Sequence, residues 1–255
     1  MEDVISTNGP PPDFRRCVFR GFSDRVRAYC QCRPPVRPAG LTVPPERPFE
    51  TRFRLAAARS TLHAPGIMNP AEMTLFSGAT NGAEAEFGRL AEAYGIQEIN
   101  YSFEGHNNVR SRGLHELSRE ELIKGDVSLT YVSKLLNRNF TQKGETFRKV
   151  LQTLFHIINN SEEVFVIGEI HEDLTVKGGT GWGTEFAKLC NKPLNCFDQT
   201  QNAWFAWSKN QWVREERPLI TRRHFSGLGT RLLLDNGRKA IADLYHDTLG
   251  GTPVG

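Results

Sequence analysis

The sequence contains no run of about 18 consecutive apolar residues, the length that a membrane-spanning helix requires. Its start, Met-Glu-Asp-Val, has neither the basic segment nor the apolar segment of a secretory signal. We therefore expect a soluble, cytoplasmic protein without a membrane partner.

Cysteine is scarce, and the histidines are scattered along the chain. The five cysteines are Cys17, Cys30, Cys32, Cys190 and Cys196. They are odd in number and lack the paired C-x-x-C spacing of structural zinc sites. His106, His171 and His224 show no metal-ligand spacing with carboxylates. These features predict reduced thiols, no metal site and no bound cofactor.

Residues 1–67 differ in composition from the rest of the chain. They are rich in arginine and contain Pro10–Pro12, Pro34–Pro35 and Pro44–Pro45, without a sustained helical or strand period. The pattern predicts a poorly structured Pro/Arg-rich extension. Alternatively, Met68 is the natural start, because the globular pattern begins directly after it.

Residues 68–255 alternate short apolar runs with amphipathic helical patterns, which is typical of a parallel sheet. Thr74–Phe76 and Ile96–Phe103 are predicted strands, and the apolar positions between them, from Ala83 to Tyr94, recur with a helical period. The continuous apolar run Val164–Ile167 predicts a central strand buried on both faces. We therefore predict a single α/β domain with a Rossmann-like, mainly parallel sheet and helices on both faces.

Other segments are assigned by the same criteria. The periodic positions Phe147–Ile158 predict a helix, and Leu194–Phe197 predicts a strand. Leu114–Ile123 is interpreted as a short helix, whereas Val127–Thr130 fits either a strand or a helix start. The aromatic segment containing Trp204, Trp207 and Trp212 favours a packing role, with stacking on a base as the alternative.

The segment Lys177–Glu185 has four glycines in six positions and lies between a buried strand and a helix. Glycines let the backbone approach a ligand closely, and a helix start offers free N–H groups and partial positive charge to phosphate. The segment contains neither a Walker A motif nor the dinucleotide motif G-x-G-x-x-G. The pattern predicts a phosphate-facing loop at Gly178–Glu185.

This segment resembles the P-G-G-x-G-T-x-x-E loop of the lonely-guy phosphoribohydrolases, which cleave nucleoside monophosphates. Gly178, Gly179, Gly181 and Glu185 match in register, whereas Lys177 replaces the proline. The threonine of the motif is replaced by a tryptophan.

Two further segments extend the resemblance to the SLOG superfamily, which also contains the Smf/DprA DNA-processing proteins. Ser77, Gly78, Gly82 and Ala83 match the S-G-G-A-x-G-A-D turn of DprA-like members. The segment Phe225–Arg231 is similar to the F-A-G-x-G-[ST]-R segment of other relatives. The resemblance carried by the three motifs extends over about two-thirds of the chain.

The resemblance implies a nucleotide site at the carboxyl edge of the sheet, in a protein that forms a homodimer. The implied ligand-binding residues are Ser77, Gly78, Thr80, Gly82, Gly178, Gly179, Thr180, Gly181, Trp182, Gly183 and Thr184. Arg148 and Glu185 are the implied catalytic pair for hydrolysis of an N-glycosidic bond, since a carboxylate can stabilise a ribosyl cation.

The leading hypothesis is therefore a domain that binds a nucleotide or nucleotide-derived small molecule, with catalysis left open. The first alternative is a DprA-like nucleic-acid-binding protein, which the arginines of residues 214–223 keep open. The folded region nevertheless carries charges of both signs throughout. The second alternative is a non-catalytic scaffold with a degenerate SLOG-like core.

Overall fold

A computed structural model describes residues 68–140 and 144–250. The extension predicted over residues 1–67 lies outside the described part. In chain order, the strands are β1 Thr74–Ser77, β2 Gln97–Ser102, β3 Leu114–Glu116, β4 Glu163–Gly168, β5 Leu194–Asp198, β6 Ala203–Ser208, β7 Gln211–Glu215 and β8 His224–Gly229. The α-helices are α1 Ala83–Ala93, α2 Arg119–Lys124, α3 Asp126–Leu136, α4 Glu145–Asn160, α5 Thr180–Leu189 and α6 Asp235–Leu249. The described chain is thus an α/β structure.

The eight strands form one mixed sheet in the order β3-β2-β1-β8-β4-β5-β6-β7. The six strands from β3 to β5 are parallel, and β6 and β7 extend the sheet as an antiparallel hairpin. β8, the last strand, lies between β1 and β4: Phe225 is opposite Leu75 on one side and Glu163 on the other. The centre of the sheet therefore joins segments that are far apart in sequence.

Helices cover both faces of the sheet. Val164 and Val166 of β4 pack in one hydrophobic core, with side chains from α4 and α5. Phe165 and Ile167 of the same strand pack in a second core, with side chains from α1 and α6. All four residues are fully buried. The prediction of a central strand buried on both faces is confirmed.

The segment between β2 and α4 differs from the prediction. Leu114–Glu116 pairs with β2 as an edge strand, and the helix α2 begins only after Ser118. Ser118 and Glu121 form a capping box, in which Glu121 N donates to Ser118 Oγ and the Glu121 carboxylate accepts from Ser118 N. The predicted helix over Leu114–Ile123 was therefore wrong in its first half, because the cap fixes the helix start.

The aromatic segment forms the β6-β7 hairpin. Trp204 is buried in the second core, and Trp207 and Trp212 pack against the first with ring centroids 5.1 Å apart. The predicted packing role is confirmed.

Candidate functional site

At the centre of the sheet, the direction in which successive strands are added reverses. β1 leads through α1, on one face, to its neighbour β2, whereas β4 leads through α5, on the opposite face, to its neighbour β5. β8 occupies the position between β1 and β4. In open α/β sheets, a crevice for ligands forms at such a point, outside the carboxyl ends of the strands.

A cavity of about 510 Å³ opens at this point. Loops that follow β1, β4, β5 and β8 provide most of its polar lining. Helix α4 provides an apolar wall, consisting of Phe147, Val150, Leu151 and Leu154. The cavity therefore has one polar side and one apolar side.

The loop after β1 contributes Gly78 and Thr80 to the lining. Thr80 donates from its backbone N at 3.2 Å and from its hydroxyl at 2.5 Å to Oε2 of Glu84, in the first turn of α1. Ser77, in contrast, is fully buried and donates its hydroxyl to Gly227 O on β8 at 2.8 Å. Ser77 thus joins two strands and does not line the cavity.

The loop after β8 lies against the loop after β1. Thr230 O accepts from Ala83 N at 3.0 Å, and Thr230 N donates to Ile167 O of β4 at 2.9 Å. Gly82 has a φ of +96°, and a Cβ at this position would lie 2.4 Å from Thr230 O. Gly82 therefore permits a close approach of two backbones but does not itself line the cavity, whereas Thr230 and Arg231 do.

The loop after β4 contributes Gly178 and Gly179 to the lining, together with Thr180, the first residue of α5. No side chain caps this helix start. Residues 169–177 form a small hairpin, in which the side chains of Lys177 and Glu169 pair at 2.7 Å beside the cavity. The amide end of α5 and a lysine thus meet at one side of the cavity.

The predicted phosphate loop is shorter than expected, because α5 begins at Thr180. Gly181, Trp182, Gly183 and Thr184 are buried within the helix, and none of them lines the cavity. Trp182 meets the rings of Phe140 and Phe147 edge-on. The Thr184 hydroxyl donates to Thr180 O at 3.0 Å.

The structure does not bring the predicted catalytic pair to the cavity. Arg148 of α4 forms a two-point ion pair with Asp126 of α3, at 3.2 and 2.5 Å. Glu185 pairs with Lys188 one helical turn further along α5, at 2.7 Å. Neither Arg148 nor Glu185 is among the residues that line the cavity.

Glu84 and His106, which the sequence analysis did not select as site residues, line the cavity, and the pKa of each is shifted. Burial raises the pKa of the Glu84 carboxyl, against the opposing effect of its hydrogen bonds from Thr80. Burial lowers the pKa of His106, and the charge of Arg231 lowers it further. Glu84 directly follows the matched Ala83, so the motif itself offered a signal for it, whereas the loop of His106 offered none.

Within residues 68–140 and 144–250, no group of three or more His, Cys, Asp or Glu side chains is arranged to hold a metal ion. In the same residues, no helix combines the length and the apolar character needed to cross a membrane.

Known proteins give no independent guide to the site. No model of a protein family, no curated protein and no solved structure matches the chain.

Proposed function

We propose that the protein binds a nucleotide or nucleotide-derived ligand in the central cavity of a Rossmann-like domain. The observation that carries the proposal is the meeting of the loops that follow β1, β4 and β8 around one cavity, whose lining includes Gly78, Gly178 and, at the end of β8, Gly229. Their convergence where the chain changes direction is the arrangement by which open α/β sheets bind ligands.

The phosphate is assigned to the amide end of α5. Gly178, Gly179 and Thr180 line the cavity there, and the helix start is without a side-chain cap. The aligned peptide dipoles give a helix N-terminus about half a unit of positive charge. Lys177 adds a cation, although Glu169 shares it. A Cβ at Gly179 would meet nothing within 4 Å, so the backbone is open to a ligand.

The nucleoside is assigned to the apolar wall. Phe147, Val150 and Leu154 of α4 offer side chains against which a base can pack. The cavity volume of about 510 Å³ lies within the range of about 300 to 1,000 Å³ for sites that enclose small ligands.

A matched pair of variants at Gly179 tests the phosphate assignment. Gly179 lies at the start of α5 with a φ of −66°, and a Cβ there would meet nothing within 4 Å, so either aspartate or asparagine fits at this position. Gly179→Asp places a negative charge where the phosphate is proposed, whereas Gly179→Asn is neutral and nearly the same size. We expect the aspartate variant to weaken binding at least tenfold relative to the asparagine variant.

The binding measurement is calorimetric titration of the full chain with the four ribonucleoside 5′-monophosphates, NAD and ADP-ribose. Equal affinities of the two Gly179 variants would contradict the assignment of the phosphate to the start of α5. Failure of every nucleotide to bind would reject the function itself. Binding of only single-stranded oligonucleotides, weakening as salt rises, would favour the nucleic-acid alternative.

The family resemblance implies hydrolysis of an N-glycosidic bond, and we include this reaction in the proposal. Water adds to C1′ of the ribosyl group, the bond from C1′ to the base breaks, and the base leaves with a proton. Glu84 and Glu169 are the carboxylates that line the cavity and can stabilise the ribosyl cation. Incubation with AMP, NAD and ADP-ribose, followed by chromatography, tests the reaction: absence of free base and ribose phosphate rejects it.

A further inference from the structure

The Glu84 carboxylate has one oxygen engaged and one oxygen free. Its Oε2 accepts both the backbone N–H and the hydroxyl of Thr80. Its Oε1 has no hydrogen-bond partner among residues 68–140 and 144–250. The side chain is partly buried and lines the cavity. Glu84 therefore offers the cavity a fixed acceptor, since its other oxygen holds its orientation.

His106 lines the same cavity and also has an unused polar atom. Its ring stacks on Phe103, with centroids 4.5 Å apart, and its Nδ1 lies 3.3 Å from the Ser102 hydroxyl. Its Nε2 is buried, with no hydrogen-bond partner in the described part of the chain. Burying a polar atom without a partner destabilises the protein, so a ligand group that pairs with this nitrogen is favoured.

The chemistry of these two side chains selects the ligand group. A carboxylate accepts hydrogen bonds and repels phosphate. The Nε2 of a neutral imidazole either donates or accepts, depending on the tautomer. A pair of hydroxyls satisfies both groups, because one donates to Glu84 and the other accepts from or donates to His106 Nε2.

We propose that Glu84 and His106 bind the sugar hydroxyls of the ligand and make the site selective for ribonucleotides over deoxyribonucleotides. The inference depends on the proposed nucleotide function and assigns the sugar to the cavity wall formed by these two residues. It places the vicinal 2′ and 3′ hydroxyls at the Glu84 side and the 5′-phosphate at the start of α5.

The first test needs only the unmodified protein. It compares calorimetric titrations of each ribonucleoside 5′-monophosphate with those of its 2′-deoxy and 3′-deoxy counterparts. A hydrogen bond to a charged group is worth about tenfold to a hundredfold in affinity, so we expect at least one deoxy series to bind about tenfold more weakly or worse. Equal binding of all three series would overturn the inference and leave nucleotide binding intact. No binding of any series would reject the proposed function, and the inference with it.

The second test assigns the selectivity to residues. Glu84→Gln removes the charge and replaces one acceptor by a donor, so the ribose preference should fall to about threefold or less. His106→Leu should reduce the preference in part, because it removes the paired nitrogen but keeps an apolar side chain over Phe103. Glu104→Gln, an exposed change in the same loop as His106, is the matched control and should retain the full preference.

Circular dichroism and thermal unfolding of each variant separate a folding defect from a loss of recognition. A folded Glu84→Gln protein with the preference of the unmodified protein contradicts the assignment to Glu84. Should that variant not fold, Glu84→Asp keeps the charge and shortens the reach by one methylene, and a reduced preference in it supports the same assignment. An unchanged preference in Glu84→Asp counts against it.

Discussion

Arg148 on α4 and Asp126 at the start of α3 form a two-point ion pair, with the guanidinium Nε and Nη2 on separate carboxylate oxygens. Asp126 also accepts from the side chain of Gln152 at 2.7 Å. One carboxylate therefore holds two residues of α4 against α3, and it lies at the positive end of the α3 dipole.

Asp126→Asn should lower the free energy of unfolding by about 1–2 kcal/mol, because the charge-assisted bonds and the helix-dipole contact weaken. Urea unfolding measures the change. Asp243→Asn is the control: it breaks a surface pair with Lys239 in which both side chains are more than half exposed, and such pairs contribute at most about 1 kcal/mol. Equal losses in the two variants would contradict the structural role of Asp126.

Trp182 connects the start of α5 to the aromatic side chains Phe140 and Phe147, and only 3% of its surface is exposed. Trp182→Ala should lower the free energy of unfolding by about 3–5 kcal/mol through the cavity that it leaves. For a domain of this size, the melting temperature should fall by roughly 10 °C. Calorimetry of the variant measures both quantities.

Trp212→Ala is the comparison for Trp182→Ala, because Trp212 packs only at the side of the same core. Its loss should be clearly smaller, at about 1–2 kcal/mol, which includes its indole hydrogen bond to Leu174 O. A loss at Trp212 as large as the loss at Trp182 would contradict the greater contribution predicted for the buried indole.

The pH dependence of stability should report the burial of His106. Burial lowers its pKa in the folded state, so between the folded and unfolded pKa values the unfolded chain binds more protons. Stability that depends on neutral His106 is therefore present above the unfolded pKa, near 6.5, and is lost as the pH falls through it.

His106→Gln should reduce the loss of stability between pH 7.5 and pH 5.5, as measured by urea unfolding at both values. His246→Gln, at an exposed histidine near the end of α6, should leave that loss unchanged. If the unmodified protein and His106→Gln lose the same free energy over this interval, the histidine is not buried in its neutral form.

The close packing of α1 against β8 explains why the β8 motif has a glycine at position 227. A Cβ at this position would lie 2.4 Å from the ring of Phe87 in α1. Gly227→Ala must therefore push α1 away from the sheet and should cost about 2–3 kcal/mol of unfolding free energy. Gly179→Ala, where a Cβ has open space, should change that free energy by less than about 1 kcal/mol. Chemical unfolding compares the two, and a tolerated Gly227→Ala would show that α1 and β8 are not closely packed.

Local patterns predicted the elements that local forces determine. Val164–Ile167 is apolar at every position because both faces of β4 are buried, and the period of α4 follows from its single buried side. The place of β8 between β1 and β4 could not be predicted, because it depends on contacts such as Ser77 to Gly227, 150 residues apart in sequence.

The site residues likewise include some that local sequence patterns predicted and some that depend on tertiary structure. Gly78, Thr80, Gly178, Gly179 and Thr180 were predicted from their position after strands, and all five line the cavity. The helical start of α5 was missed, because glycine favours loops locally while packing overrides that preference here.

Gly181 and Gly183 illustrate this override. A Cβ at Gly181 would lie 2.0 Å from Val176 O, and one at Gly183 would lie 2.9 Å from Leu228. The absence of a Cβ at these two positions thus lets α5 pack closely against Val176 and Leu228. The position of Glu84 was signalled by the motif around Ala83, whereas the exposure of His106 to the cavity arises only from tertiary structure, which a single sequence does not reveal.

The position of β8 also bears on the order of synthesis. β1 and β4 do not pair with each other, so a chain released after Gly168 but before His224 has two hydrophobic strand edges without a partner. On the ribosome, the sheet can be completed only after β8 has been synthesised, and chaperones would have to shield both edges until then. Premature termination between Gly168 and His224 should therefore produce an aggregating fragment rather than a weakened protein.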